Sequence, residues 1–220
     1  MRAGRLFLAV LVTIFSLTLV NSAFADSVTL KYVGHEGQGG GQGSPYIGYP
    51  YYFSVNGSST QTALLCDSFD NNISLGESWK ATVTPFLQGV GLFGSTSSLD
   101  YKAAGLIFKS VLGGQISSVA GQWAIWGLFS QNAQNNAFFT HIGAGQIDAM
   151  YLALASTASN SAFKGLVLYT PIAGTQSWGG LPQEFIGYSP VPEPATLTFM
   201  GTGLIGLAGV VRRKLAKAKS

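Results

Sequence analysis

Cysteine occurs once in these 220 residues, at Cys66, and histidine twice, at His35 and His141. A thiol, two imidazoles and the carboxylates of Asp67 and Asp70 are the groups from which reactive chemistry could be built. A single cysteine points to a reactive thiol, an intermolecular disulfide or a small buried hydrophobe. The context LLCDSFDNN is a strand end running into an acidic, Asn-rich turn. Two neighbouring carboxylates raise a thiol's pKa, and no lysine or arginine stands close in sequence to lower it. A cysteine hydrolase would need Cys66 to meet His35, in a Gly-rich loop, or His141, in the polar stretch FFTHIGAG. Asp67, Asp70, Asn71 and Asn72 lack the spacing of a calcium loop, so no metal site and no cofactor is expected. Asn56-Gly57-Ser58 and Asn72-Ile73-Ser74 fit the glycosylation pattern only as chance matches.

The elements that would position these groups follow from periodicity. Ser27 to Val33 and Tyr49 to Val55 alternate as strands, and Asn56-Gly57 predicts a hairpin turn into a strand from Thr62 to Cys66. Trp79 to Pro85 reads as a further strand, as do Gly165 to Thr170 and Glu184 to Tyr188. Between them the pattern turns helical. Leu99, Ala103, Leu106, Ile107 and Val111 share one helical face, and Ile147, Met150, Tyr151, Leu154 and Ala155 share another. Ile116 to Phe129 is apolar nearly all round, which predicts a helix buried in the domain. The expected class is α+β: an antiparallel, β-rich ectodomain with a central helical segment, flanked by an N-terminal signal helix and a C-terminal transmembrane helix. GHEGQGGGQGS, residues 34 to 44, reads as a flexible loop.

The two ends read as addresses. Arg2 and Arg5 precede an uncharged run from Leu6 to Val20, and Ala23 and Ala25 fit a small-residue cleavage site. This makes residues 1 to 25 a secretory signal peptide and residues 26 to 190 the exported ectodomain. Near the other end, Ala195 to Val211 is an uncharged run of seventeen residues. As a helix it measures about 25 Å, close to a bilayer core once Arg212 and Arg213 snorkel. The basic stop of Arg212, Arg213 and Lys214, with Lys217 and Lys219 beyond, marks the cytoplasmic side. Gly201, Gly203, Gly206 and Gly209 offer either a packing face for another helix or a chance run of small residues. With seven of the twelve basic residues in the two signals, the body keeps five lysines against eight acids, a formal charge of −3. No basic stripe is left for nucleic acid.

VPEPATL, a glycine-containing apolar run and a terminal RRK cluster closely resemble the PEP-CTERM sorting signal of Gram-negative exported proteins. Residues 191 to 220 carry the resemblance, and Pro192, Glu193 and Pro194 match its motif residue for residue. It implies membrane anchoring through residues 195 to 211, processing near the motif by an exosortase, and delivery to the cell surface or extracellular matrix.

A second resemblance lies in the body. A Tyr- and Pro-rich strand with a VNG turn precedes Cys66, and Trp79, AAGLIF and GQWAIWGLF follow it. This order resembles the thioester domains of bacterial surface proteins, in which a cysteine ending an early strand is joined to the glutamine of a Q-x-A-I-W helix. The matching positions are Cys66 and Gln122, followed by Trp123, Ala124, Ile125 and Trp126. The family usually carries Thr, Ser or an aliphatic residue before the glutamine, where this chain has Gly121. The resemblance implies that the Cys66 thiolate attacks the Gln122 carboxamide, expels ammonia and leaves an internal thioester. That bond would capture an amine or hydroxyl of a partner, a protein or a surface polysaccharide, once and without turnover. The residues alone leave a second reading open, in which Gln122 is a polar residue on a helix flank and the tryptophans are core. Adhesion through a thioester, a passive matrix role and a secreted hydrolase are the functions that follow.

Overall fold

The computed structural model describes residues 27–35 and 50–189. The expected signal peptide and the sorting signal with its transmembrane helix and basic stop lie outside the described residues, as does most of the Gly-rich stretch. Six strands form a closed, wholly antiparallel barrel: β1 (Ser27–His35), β2 (Tyr51–Val55), β3 (Gln61–Cys66), β4 (Ser78–Pro85), β7 (Leu166–Pro171) and β8 (Phe185–Tyr188). Their order around the barrel is β1-β2-β3-β8-β7-β4, with β4 pairing back to β1. Closure removes exposed sheet edges, which pattern alone does not announce. A small hairpin of β5 (Val90–Gly91) and β6 (Gly94–Ser95) leads from β4 into the helices, and was not anticipated from the sequence.

The strands alternate where one face meets solvent. Val28, Leu30 and Tyr32 of β1 and Tyr51, Phe53 and Val55 of β2 point inward. They fill the barrel with aromatic rings, Phe53 lying 4.7 Å from Phe185 and 5.7 Å from Trp79 between ring centroids. Where helices cover the outer face the alternation disappears. Leu64, Leu65 and Cys66 are buried in succession, as are Leu166 to Tyr169. The Asn56-Gly57 turn has φ of 52° and 77° at its two central residues, the type I′ geometry that matches strand twist. His35 is not in a loop: it ends β1, opposite Tyr51.

Five helices lie between β6 and β7: α1 (Leu99–Leu112), α2 (Ser118–Phe129), α3 (Gln131–Gln134), α4 (Ala137–His141) and α5 (Ala144–Thr157). A 3-10 turn at Asn160–Phe163 returns the chain to β7. Ser98 caps α1 by accepting from the Tyr101 N–H, and Ser117 caps α2 by accepting from the Ala120 N–H. Helix α2 carries no charge and is buried on nearly every side, as its sequence predicts. The two amphipathic faces differ from expectation. Leu99, Met150 and Leu154 are exposed, while Tyr101, Phe108 and Asp148 are buried. Tyr101 is turned inward by its hydrogen bond to Glu184, a partner that a hydrophobicity pattern does not contain. Among the described residues no helix is long and apolar enough to cross a membrane.

Gly121 is set by packing. A Cβ there would overlap Val111 Cγ2 and come within 3.1 Å of Ile116 Cδ1. Its absence lets α2 approach α1 closely. Overpacking a core contact costs about 2 kcal/mol, so Gly121→Ala is expected to lower the unfolding free energy by that amount, read as a lower urea midpoint at unchanged slope.

Asp148 of α5 is 8% exposed, and its carboxyl lies against the Gly127 backbone of α2. Burial, and then the charge of Asp100, raise its pKa to about 7. The folded state therefore holds a proton that the unfolded chain releases near pH 4. Stability contributed by this group falls as pH rises from about 4 to about 7, and is level above that window. Urea midpoints at pH 5 and pH 8 should differ in that sense, and Asp148→Asn should shrink the difference.

Candidate functional site

Cys66 and Gln122 are brought together although 56 residues separate them. Cys66 is the last residue of β3, and its ladder partner Phe185 lies on β8. Gln122 lies in the second turn of α2, on the side that packs against the end of that strand. The Cys66 N–H donates to Gln122 Oε1 at 3.1 Å, and Gln122 Nε2 donates to the Cys66 carbonyl at 2.5 Å. The carboxamide thus occupies both backbone groups of one strand residue, as a neighbouring strand would. Both residues are 0% exposed.

The cysteine sulfur sits in a polar corner. Cys66 Sγ donates to the Ser68 carbonyl at 3.5 Å, and Ser68 Oγ lies 4.0 Å from the sulfur. Burial above all pushes the thiol well above its ordinary range, and any ionisation of Asp67 would push it further. Hydrogen bonds from Trp126 and Ser68 act in the opposite sense. The thiol is accordingly protonated at neutral pH.

Aromatic rings close the surroundings. Phe69 lies 5.6 Å from Trp123 and 5.3 Å from Trp126, and the two tryptophans are 5.2 Å apart, edge to face. Phe138 of α4 stacks beyond Trp123 at 5.3 Å. Water therefore has little access to the Cys66–Gln122 contact.

The loop after Cys66 is fastened at three places. Asp67 N–H donates to the Glu184 carbonyl, and Ser68 Oγ accepts from the Glu184 N–H at 2.6 Å. Gln183 Nε2 donates to the carbonyls of Ser68 and Asn71. Asp70 accepts from Ser130 Oγ and Asn132 Nδ2, both at 2.8 Å, which ties the loop to the junction of α2 and α3. Asp70 thus acts as a structural latch. Among the described residues no cluster of three or more His, Cys, Asp or Glu is arranged to hold a metal ion.

Beneath the loop lies a buried carboxyl pair. Glu184, 0% exposed, accepts from the Leu92 N–H, from Tyr101 Oη at 2.6 Å and from Thr170 Oγ1 at 2.5 Å. Asp67 is equally buried, and neither of its carboxyl oxygens has a hydrogen-bond partner among the described residues. Burial, followed by the neighbouring Glu184, raises the Asp67 pKa far above the carboxylate range, so it is held neutral. Tyr101 is pushed upward as well, first by burial and then by the two acids.

The histidines do not join this site. His35 ends β1 and His141 ends α4, where its ring lies 6.0 Å from Phe138. The groups acting on the thiol are Asp67, Trp126, Ser68 and Tyr51, and no histidine is among them. Sequence reasoning missed Ser68, Glu184 and Tyr101. Ser68 adjoins Cys66 but carries no mark of where its hydroxyl turns, and Glu184 lies 116 residues farther on from Ser68.

Removing the Gln122 carboxamide orphans a buried N–H and a buried carbonyl at the end of β3. Gln122→Ala should therefore destabilise the protein by about 3 kcal/mol in urea unfolding, more than an ordinary polar substitution on a helix.

Residues 190–214 match the family model of the PEP-CTERM protein-sorting motif. Comparison with curated proteins and with solved structures returns no match to the chain. The chain carries a PEP-CTERM sorting signal, the mark of an exported exosortase substrate that is anchored in the membrane by its C-terminus before processing.

Proposed function

We propose that this protein is a cell-surface or extracellular-matrix adhesin whose ectodomain captures a partner covalently through a thioester between Cys66 and Gln122. The observation that carries this reading is the two-way clamp of the Gln122 carboxamide on the Cys66 backbone, inside a water-poor corner. The clamp brings the carboxamide to the residue that bears the nucleophile. It also aims the Cys66 N–H at Gln122 Oε1, where negative charge develops in a tetrahedral intermediate. Formation of the bond joins Cys66 Sγ to Gln122 Cδ and breaks the Cδ–Nε2 bond, and the thiol proton leaves with the nitrogen as ammonia. Capture of a primary amine joins its nitrogen to Cδ and returns the sulfur, with one amine proton, to Cys66. Hydroxyls of a surface polysaccharide would react in the same way to give an ester. Each molecule reacts once, so the protein is a binder and not a catalyst with turnover.

A passive matrix component is the second reading. It is favoured by the completeness of the same clamp, which satisfies every group involved without any reaction, and by the protonated state of the thiol. A cysteine hydrolase has no support in the placement of His35 and His141.

Intact mass separates the readings. The protein recovered from the cell surface, without added amines, is expected to be short by one ammonia, to resist alkylation at Cys66 and to have lost its C-terminal signal. Cys66→Ala should show the plain mass for its residues. A parent of plain mass whose thiol alkylates on unfolding leaves the passive reading.

A further inference from the structure

Resting on the thioester reading, we propose that Ser68 is a positioning residue whose hydroxyl stabilises the Cys66 sulfur as leaving group during capture. Two contacts involve this hydroxyl. Its oxygen accepts from the Glu184 N–H at 2.6 Å, which anchors it to the first residues of the β8 segment. With that lone pair used, the hydroxyl proton is free to turn elsewhere, and the sulfur 4.0 Å away is within its reach, in a contact where either atom can donate. The Ser68 carbonyl lies on the same sulfur at 3.5 Å and takes the proton of the free thiol. One residue therefore supplies a donor for the ionised sulfur and an acceptor for the protonated one.

The need for a donor follows from the surroundings. Cys66 is wholly buried, which disfavours charge on sulfur. When an amine attacks Gln122 Cδ, the C–S bond breaks and its electron pair goes to Sγ. The sulfur then takes the proton released by the amine nitrogen, while the Ser68 proton remains on Oγ throughout. A hydrogen bond made only as charge grows on sulfur lowers the barrier without tightening the resting state. Ser68 is distinct from the Gln122 clamp, which faces the oxygen and nitrogen of the carboxamide and not the sulfur.

The test follows capture of methylamine by the full-length protein, read as the rate of mass gain. Ser68→Ala is expected to form the thioester and to capture methylamine about tenfold more slowly, the effect of one hydrogen bond to a charged group. A merely structural Ser68 predicts the opposite sign, because loosening the loop would admit amine and water faster. Ser68→Thr and Ser68→Val match each other in shape and differ in the hydroxyl, so they serve even where the alanine variant fails to fold. Thr should react faster than Val. A Ser68→Ala protein as fast as the parent, or a Val variant no slower than Thr, overturns the role of Ser68 alone. A parent of plain sequence mass overturns the thioester reading and this proposal with it.

Discussion

The amide of one glutamine ends the barrel. At Cys66 strand β3 runs out of backbone partners on one side, and Gln122 supplies both a donor and an acceptor to the open residue. A buried N–H or carbonyl without a partner is costly, so helix α2 is held at one depth and one rotation against the strand. The remainder of the helical layer is arranged around that placement. Gly121 gives α2 room beside α1, and the tryptophans on either side of the A-I pair fill the space over Phe69. Helix α2 can be apolar on every side because barrel, α1 and α5 surround it.

A second constraint is electrostatic. The body is sparing of charge, yet it buries Asp67 and Glu184 side by side under the loop that follows the cysteine. Glu184 is satisfied by donors from the β5–β6 hairpin, from α1 and from β7, so one carboxyl ties three separate elements together. Asp67 remains neutral because a second charge in that space would have no solvent and no partner. The backbone of Glu184 holds the loop bearing Ser68, and burial keeps the sulfur protonated. Burial thereby opposes ionisation of the thiol at the place where the proposed chemistry needs a sulfur to leave.

Much of the architecture was legible in the residues. The strands were placed within a residue or two because alternation and the Asn56-Gly57 turn are local signals, and α2 announced itself by being apolar on every side. What pattern could not reach were features made by distant partners. Tyr101 lies off the apolar face read for its helix, and its hydroxyl donates to Glu184. Of the face read on the last helix, Tyr151 and Ala155 are buried, whereas Met150 and Leu154 stand in solvent and Asp148 is buried instead. His35 was assigned to a loop because glycines follow it, yet the ladder to β2 extends that far.

The sequence by itself determined the sorting signal at the C-terminus, because such a signal is read as a linear string. It also named Cys66 and Gln122 through a short motif and a lone thiol. Tertiary structure alone decided that these two meet through the cysteine backbone, that His35 ends a strand and His141 a helix, and that Ser68 lies beside the sulfur. The reason is physical: hydrogen bonds between residues 56 or 116 positions apart depend on how a barrel closes and where a helix lands on it. No local periodicity encodes that.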